Sequence, residues 1–470
     1  MNIEFPVNQI LVELSGDNLL PAILFRSSRR QCDIDVERVA DSRIGRLEPA
    51  KQKILKDEVF SIIAKYGFEQ EIITKHPHYL ALINTGVGAH HAGQLLMWRL
   101  VLEELMTRGL LRLMVATGTV AAGVDFPART VVVTAHSKRG SEGFRVISSS
   151  EFQQMSGRAG RRGKDSVGIC LVAPGPFSDA RIINEVSKKP AEPLKSAYYA
   201  APSTALNLLK YRNVDDLKFT VSKSLASFLD RKGANAIREE ANKAQEEIDA
   251  DKTMPNELRK KSLKRVRRRL TEADVLEGRQ RAVLENSLQG LERLGHVENG
   301  ALTEKGYWAA ELCTSLVLEL AEAVDEGIFF DLDVESLVGL IASISGDSHR
   351  VYFSLKSNPI KKDLYLQMET VIERVKALYT DTSSDLKVLP DAALTALTWM
   401  DSKNWAEFAG LLRLNGVAEG DAARVLTQTA DHLNQLARLK ESHPDLAECA
   451  IEGRKRILKP PLSEVVTGED

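Results

Sequence analysis

The sequence predicts an α/β domain, a parallel sheet with helices on both faces, followed by a mainly α-helical region. Three observations carry that prediction. Between Leu20 and about Pro176 short apolar, often β-branched runs alternate with helical patterns, as strands joined by crossover helices do. Past Lys188-Lys-Pro-Ala-Glu-Pro193 strands of this kind stop, and long helical patterns run to about residue 458. The length of 470 residues, 43% hydrophobic and 27% charged, is enough chain to bury several cores without disulfide staples.

The strands come first. Leu20-Pro-Ala-Ile-Leu-Phe25 reads as a buried strand, and Ser27 to Ala40 as the capped helix that follows it. Gln94 to Arg108 is a helix of period 3.6, its apolar side made by Leu95, Leu96, Trp98, Leu102 and Leu105. Arg112–Ala116, Thr130–Thr134 and Val167–Val172 read as further strands. In a sheet of this kind ligands are expected at the loops that follow the strand carboxyl ends.

The second half divides by composition. Residues 234–284 are rich in Glu, Lys and Arg and poor in large apolar side chains, which suits a protruding helical hairpin turned near Met254-Pro255. Arg259–Arg269 holds eight basic residues in eleven; such a run is either a solvated face paired with the acidic Glu239–Asp251 arm or a track for a phosphate backbone. Leu291 to Trp308 reads as helix, short β-wing, helix, the pattern of a winged-helix piece. A helical bundle is expected over 311–462 and a polar tail from Ser463.

Charge names no partner: 63 basic against 65 acidic side chains leave a net charge of −2. Cys32, Cys170, Cys313 and Cys449 stand far apart with no CxxC and no paired His, so neither a zinc site nor a disulfide framework is indicated, and a reducing cytoplasmic setting is expected. No stretch reaches the roughly 18 uninterrupted apolar residues of a membrane span.

The chemistry concentrates in two segments. In Gln154-Met-Ser-Gly157-Arg158-Ala-Gly-Arg161-Arg162-Gly163 three glycines hold a turn open while arginines three residues apart project from a helix end, a pattern for forking onto phosphate oxygens. Upstream, Ala116-Thr117-Gly-Thr119-Val-Ala-Ala-Gly123-Val-Asp125-Phe-Pro-Ala128 follows a strand directly. Its small residues and hydroxyls let a backbone pass close, with Thr117, Thr119 and the Gly123 amide placed to bond phosphates or a neighbouring loop. Alone it reads as an ordinary strand-to-helix loop, and the arginine segment makes it specific. Adjacent His90 and His91 point in different directions and do not read as a metal pair, and Trp98, Trp308 and Trp399 read as core; Trp405 is undecided.

These two segments resemble motifs VI and V of superfamily 2 helicases, in the wording of their superkiller-type branch of exosome-associated RNA helicases and archaeal DNA-repair helicases. Leu20–Arg30 resembles motif IV, and Gly86-Val-Gly-Ala-His-His-Ala-Gly93 the branch's His-His-Ala-Gly loop. Pro193-Leu-Lys-Ser-Ala, Leu206-Asn-Leu-Leu209 and Leu302-Thr-Glu-Lys-Gly306 resemble parts of its winged helix. Residues 331–340 and 399–457 are similar to its C-terminal bundle, whose long ratchet helix lines the nucleic-acid channel. The resemblance implies a second RecA-like domain over 1–190, a winged-helix-like domain over 191–310 carrying the hairpin, and a ratchet bundle over 311–462.

It also implies roles. Arg158 and Arg161 would be arginine fingers; Gln154, Gly157, Asp125 and Arg162 would face ATP; Thr117, Thr119, Gly123 and Arg424 would touch the single-stranded RNA or DNA. Where the branch commonly has further arginines beyond Arg424, this chain has Thr427 and Gln428. The glycine loop and acidic box that hold ATP and Mg2+ are missing: Gly157–Asp165 has the wrong spacing, and Asp57-Glu-Val-Phe60 lacks its last acidic or His residue. The expected function is therefore the C-terminal half of an ATP-dependent helicase, inactive as an ATPase alone, with the Walker A and DExH motifs on a first RecA-like domain carried by a partner chain or missing from this one. A non-catalytic nucleic-acid scaffold and a protein-interaction module are the alternatives.

Overall fold

Alternation of side chains along short β-branched runs decides the architecture of the first half. Residues 5–118, 127–140, 143–196, 200–355, 357–379 and 385–463 are described by a computed structural model. Strands β1 (Ala22–Phe25), β2 (Val87–His90), β3 (Leu113–Ala116) and β4 (Thr130–Val133), with an antiparallel hairpin of β5 (Ser137–Gly140) and β6 (Gly143–Val146), precede β7 (Ile169–Val172). The main sheet is all parallel, in the order β2-β3-β1-β4-β7. Ile23, Phe25, Met114, Ala116, Val131 and Val133 join one core, under helices Pro49–Tyr66 and Leu96–Thr107. Ala22, Leu24, Leu113, Val115 and Val132 point the other way, onto helices Val7–Gly16 and Arg29–Asp41. The period-2 pattern thus buries the strands on both sides, as the α/β reading expects.

Helix Arg29–Asp41 starts where Ser28 accepts a hydrogen bond from the Gln31 amide, a side-chain cap. β2 is a correction: Gly86–Gly93 was expected as a loop, yet Val87–His90 forms an edge strand. Val-Gly-Ala-His lacks the β-branched signature, and Gly88 sits there because Leu102 lies 2.5 Å from where a Cβ would project. The β5–β6 hairpin was not anticipated.

Among the described residues the second half is helical apart from a two-stranded wing of β8 (Val297–Glu298) and β9 (Ala301–Leu302). Two long helices, Leu225–Ala250 and Asn256–Arg293, lie antiparallel and extend beyond the expected 234–284 at both ends. Their distal part has a small core of its own, Ala241, Ile248 and Val266, separate from the main one. In the bundle, helix Val334–Ser345 is buried among Pro390–Asp401, Glu419–Leu436 and Pro444–Ile457. Trp399, Trp405 and Phe408 pack with ring centroids 5.2–5.3 Å apart, so the undecided Trp405 is core, its Nε1 donating to Glu419 at 3.0 Å. None of the described helices is long and apolar enough to cross a membrane.

Candidate functional site

The arginine loop is built from a helix end. Ser148 and Glu151 form a reciprocal capping box that starts helix Ser149–Ser156, and Phe152 and Met155 anchor it in the core, leaving Gln154 exposed in the last turn. The helix closes through Gly157, after which Gly160 and Gly163 take φ of 92° and 75°, backbone that only glycine adopts freely. The loop then docks beside the sheet: Ala128 N–H donates to Arg158 O at 2.9 Å, and Gly160 N–H to Ala128 O at 2.7 Å. Gly168 completes the fit, because a Cβ there would lie 2.3 Å from Ala159 O.

Ala128 precedes β4 and Gly168 precedes β7. The arginines therefore sit at the amino ends of those strands, contrary to the expected carboxyl-end location. The reason is the crossover: after β4 the chain runs out through the hairpin and returns along helix Ser149–Ser156, so that helix's end arrives at the opposite edge.

Arg158 is partly buried and Arg162 exposed. Arg161 is engaged with Asp165: its Nε and Nη2 donate to the two carboxylate oxygens at 2.8 and 3.0 Å, and its amide adds a third bond at 3.0 Å. That grip holds the Asp165 carboxyl down at about 2. Arg161 is thus preorganised, with a carboxylate where the expectation places phosphate.

Thr117 lies at the carboxyl end of β3, its amide 3.4 Å from His90 O. Thr119, Gly123 and Asp125 lie outside the described residues. Near this edge stands the hairpin, where Phe144 is 71% exposed and stacks on Phe177 at 6.4 Å. Lys138 and Arg145 bind Glu151, whose carboxyl drops to about 2; burial opposes that shift, and the two cations outweigh it. The same Glu151 caps the helix that leads to the arginine loop. Gly140 and Gly143 around the turn were the sequence signal for this hairpin.

His90 and His91 do diverge: Nε2 of His90 meets Glu103 at 2.6 Å, and Nε2 of His91 meets Asp33 at 2.9 Å. No group of residues suited to a metal ion occurs among the described residues. The loop after β2 instead receives the start of the Glu419–Leu436 helix. Gly420 N–H donates to Gly93 O at 3.0 Å, and a Cβ on Gly420 would lie 2.4 Å from Ala92 O.

Beside it Arg29, from the motif IV segment, binds Asp421. Arg350 lies 3.7 Å from Asp421 and 3.5 Å from Asp347, and Asp347 accepts from Arg424 at 3.0 Å. Alternating charges thus link the sheet domain to Arg424. Sequence gave no sign of this series beyond the Gly420-Asp421 pair. Arg424, Gln428, His432, Ser345 and Asp347 line a pocket of about 270 Å3. Thr427, in contrast, donates its hydroxyl to Ala423 O in its own helix.

Residues 299–464 match the DSHCT (NUC185) domain. The chain is 31% identical over 252 residues to the human protein named exosome RNA helicase MTR4, a match covering 53% of this chain and 24% of that protein. It is 34% identical over 203 residues to the Arabidopsis thaliana chloroplastic DExH-box ATP-dependent RNA helicase DExH15, covering 43% and 17%. With the Schizosaccharomyces pombe ATP-dependent RNA helicase mtr4 it shares 30% identity over 208 residues, covering 44% and 18%. Each match spans a quarter or less of the relative's length. With its parallel sheet, helical second half and match to the DSHCT domain model, the chain resembles the C-terminal part of superkiller-type DExH-box RNA helicases.

Proposed function

We propose that this chain works as the C-terminal half of an ATP-dependent helicase acting on single-stranded nucleic acid, RNA before DNA. It would supply arginine fingers and strand-binding surfaces to a first RecA-like domain held by another chain or missing from this one. In this reading 1–190 is the second RecA-like domain, 191–310 a winged-helix-like unit around the β8–β9 wing, and 311–462 the ratchet bundle. A cytoplasmic setting accords with the four cysteines being free thiols.

The observation that carries the reading is the tie between the loop after β2 and the ratchet helix through Gly420 and Asp421. It makes one unit of a phosphate-facing domain and a strand-facing helix. ATP would bring the phosphoanhydride whose cleavage drives movement. The donor set here fits only its phosphate side: guanidiniums of Arg158, Arg161 and Arg162 with the Gln154 amide, and no carboxylate cluster for Mg2+ among the described residues. Arg158 and Arg161 would hold phosphate oxygens and stabilise charge growing on them, an effect worth about 10³ to 10⁵ in rate in an assembled site. Thr117 and Arg424 would hold the strand's backbone.

The test is to mix the chain with a companion carrying the glycine loop and acidic box and to measure nucleic-acid-stimulated ATP turnover. Turnover should appear and fall about 10³-fold or more in Arg158→Ala. Equal turnover in variant and wild type sinks the reading. The Arg161–Asp165 grip favours a second reading, a non-catalytic scaffold; strand binding that ignores both Arg158→Ala and the companion would support it.

A further inference from the structure

The four backbone N–H groups at the start of a helix have no carbonyl within the helix to meet. In helix Ser149–Ser156, which delivers the arginine loop, two of the four are met inside the turn. Ser148 N–H donates to the Glu151 carboxylate at 2.8 Å, and Glu151 N–H to Ser148 Oγ at 3.1 Å. The other two are met from further along the chain: Ser149 N–H donates to Glu192 Oε1 and Ser150 N–H to Glu192 Oε2, each at 2.9 Å.

The contact is reciprocal. The Ser150 hydroxyl donates to Glu192 Oε2, and Glu192 N–H donates to Ser150 Oγ at 3.1 Å. Ser149 Oγ lies 2.6 Å from Lys189 O, to which Gln153 Nε2 also donates at 3.3 Å, so the chain is fastened at Lys189 as well as at Glu192. The Ser150 hydroxyl first, then the amides of Ser150, Glu192 itself and Ser149, hold the Glu192 carboxyl down at about 2. It is therefore charged at any working pH, and a negative charge suits a helix start.

Glu192 belongs to the extended stretch between helices Ala180–Lys188 and Pro202–Leu209, the covalent connection from the sheet domain to the helical half. Helix Pro202–Leu209 packs there against Asn256–Arg293 and Val317–Asp325. Helix Ser149–Ser156 has eight residues, too few to persist by their own hydrogen bonds, so its cap and its Phe152 and Met155 anchors decide how firmly it is held. Arg158 follows two residues after its end.

We propose that Glu192 is a positioning residue for the arginine loop, fastening helix Ser149–Ser156 to the linker so that the placement of Arg158 depends on the connection to the helical half. The inference rests on the arginine-finger part of the function proposed above. Glu192 acts through the helix and touches no nucleotide. Arg161 has its own grip on Asp165, so Arg158 is the arginine that depends on this latch more.

The experiment compares wild type, Glu192→Ala, Glu192→Asp and Arg158→Ala in the full chain. Hydrogen exchange of residues 149–157 is read by mass spectrometry on the chain alone. ATP turnover is measured with a companion carrying the glycine loop and acidic box, and strand binding by fluorescence anisotropy. Glu192 is exposed, so its replacement opens no cavity and the urea midpoint should hold. In Glu192→Ala the first-turn amides should exchange at least about ten-fold faster. There kcat should fall about ten-fold or more, towards the roughly 10²-fold that an ångström of misplacement can cost. KM for ATP and strand binding should stay, and Glu192→Asp should restore much of the exchange protection and of kcat.

Unchanged exchange in Glu192→Ala overturns the latch. So does wild-type turnover in that variant while Arg158→Ala is slow, which leaves the arginine fingers in place. A fall in kcat matched by a lower urea midpoint, with no rescue by Glu192→Asp, assigns Glu192 to folding and overturns the positioning role. Turnover that never appears, or that ignores Arg158→Ala, sinks the function proposed above and this inference with it.

Discussion

Nη1 of Arg29 donates to both carboxylate oxygens of Asp421, at 2.9 and 2.8 Å, across 392 residues of chain. Asp421 is 8% exposed and Arg29 26%. Removing the buried partner leaves a guanidinium short of its counter-ion. Asp421→Ala should cost roughly 2–3 kcal/mol, below the 3–5 of a fully buried pair because Arg29 keeps some water. A double-mutant cycle with Arg29→Ala, read by urea unfolding, checks this; a coupling within error of zero would show that the pair holds nothing together.

Gly420 gives a sharper probe of the same seam. Its Cβ would meet Ala92 O at 2.4 Å and Gln94 O at 2.7 Å, backbone that cannot step aside. Gly420→Ala should destabilise by about 1–3 kcal/mol. Gly410, in helix Trp405–Leu414, has nothing within 4 Å of such a Cβ, and Gly410→Ala should stabilise by about 0.5–1 kcal/mol. Opposite signs in chemical denaturation are the expected outcome.

At the arginine loop, Gly168→Ala would press a methyl group into Ala159 O. The expected result is loss of companion-stimulated ATP turnover comparable to Arg158→Ala, with strand binding kept, because Thr117 and Arg424 lie elsewhere. Turnover assays beside fluorescence anisotropy separate the two effects.

His432 supplies a pH dependence. Burial in the bundle holds its imidazole at about 4, with Nδ1 2.9 Å from Ser345 Oγ and with Asp347 and Arg424 on the same pocket wall. An unfolded His titrates near 6.5. As pH falls the unfolded chain takes up this proton first, so stability declines from about 6.5 to about 4 and levels off below. Melting temperatures across that range should fall less steeply in His432→Gln than in wild type.

Much of this was legible in the sequence because it depends on local chemistry. β-branched runs marked β3, β4 and β7, Ser28 marked a helix start, and the glycines of 154–163 marked a tight turn after a helix. What sequence left hidden depends on distance or on the path of the chain. Arg29 and Asp421 meet only after folding. β2 is short and carries small Gly88 and Ala89 where a strand signal needs bulk, and the arginine loop reached the amino edge by a path through the hairpin that local spacing does not encode. The Arg161–Asp165 grip is an i, i+4 pair in the sequence, but only the folded loop brings both carboxylate oxygens onto the guanidinium.

The separate apolar cluster of Ala241, Ile248 and Val266 bears on how the molecule comes apart. Those residues support the outer arm without help from the principal interior, so amide protons there should exchange early, as a cooperative unit of their own. All four tryptophans, 98, 308, 399 and 405, belong to or pack on that interior. On heating, helical dichroism should therefore begin to fall before tryptophan emission changes, and one midpoint will not describe both transitions.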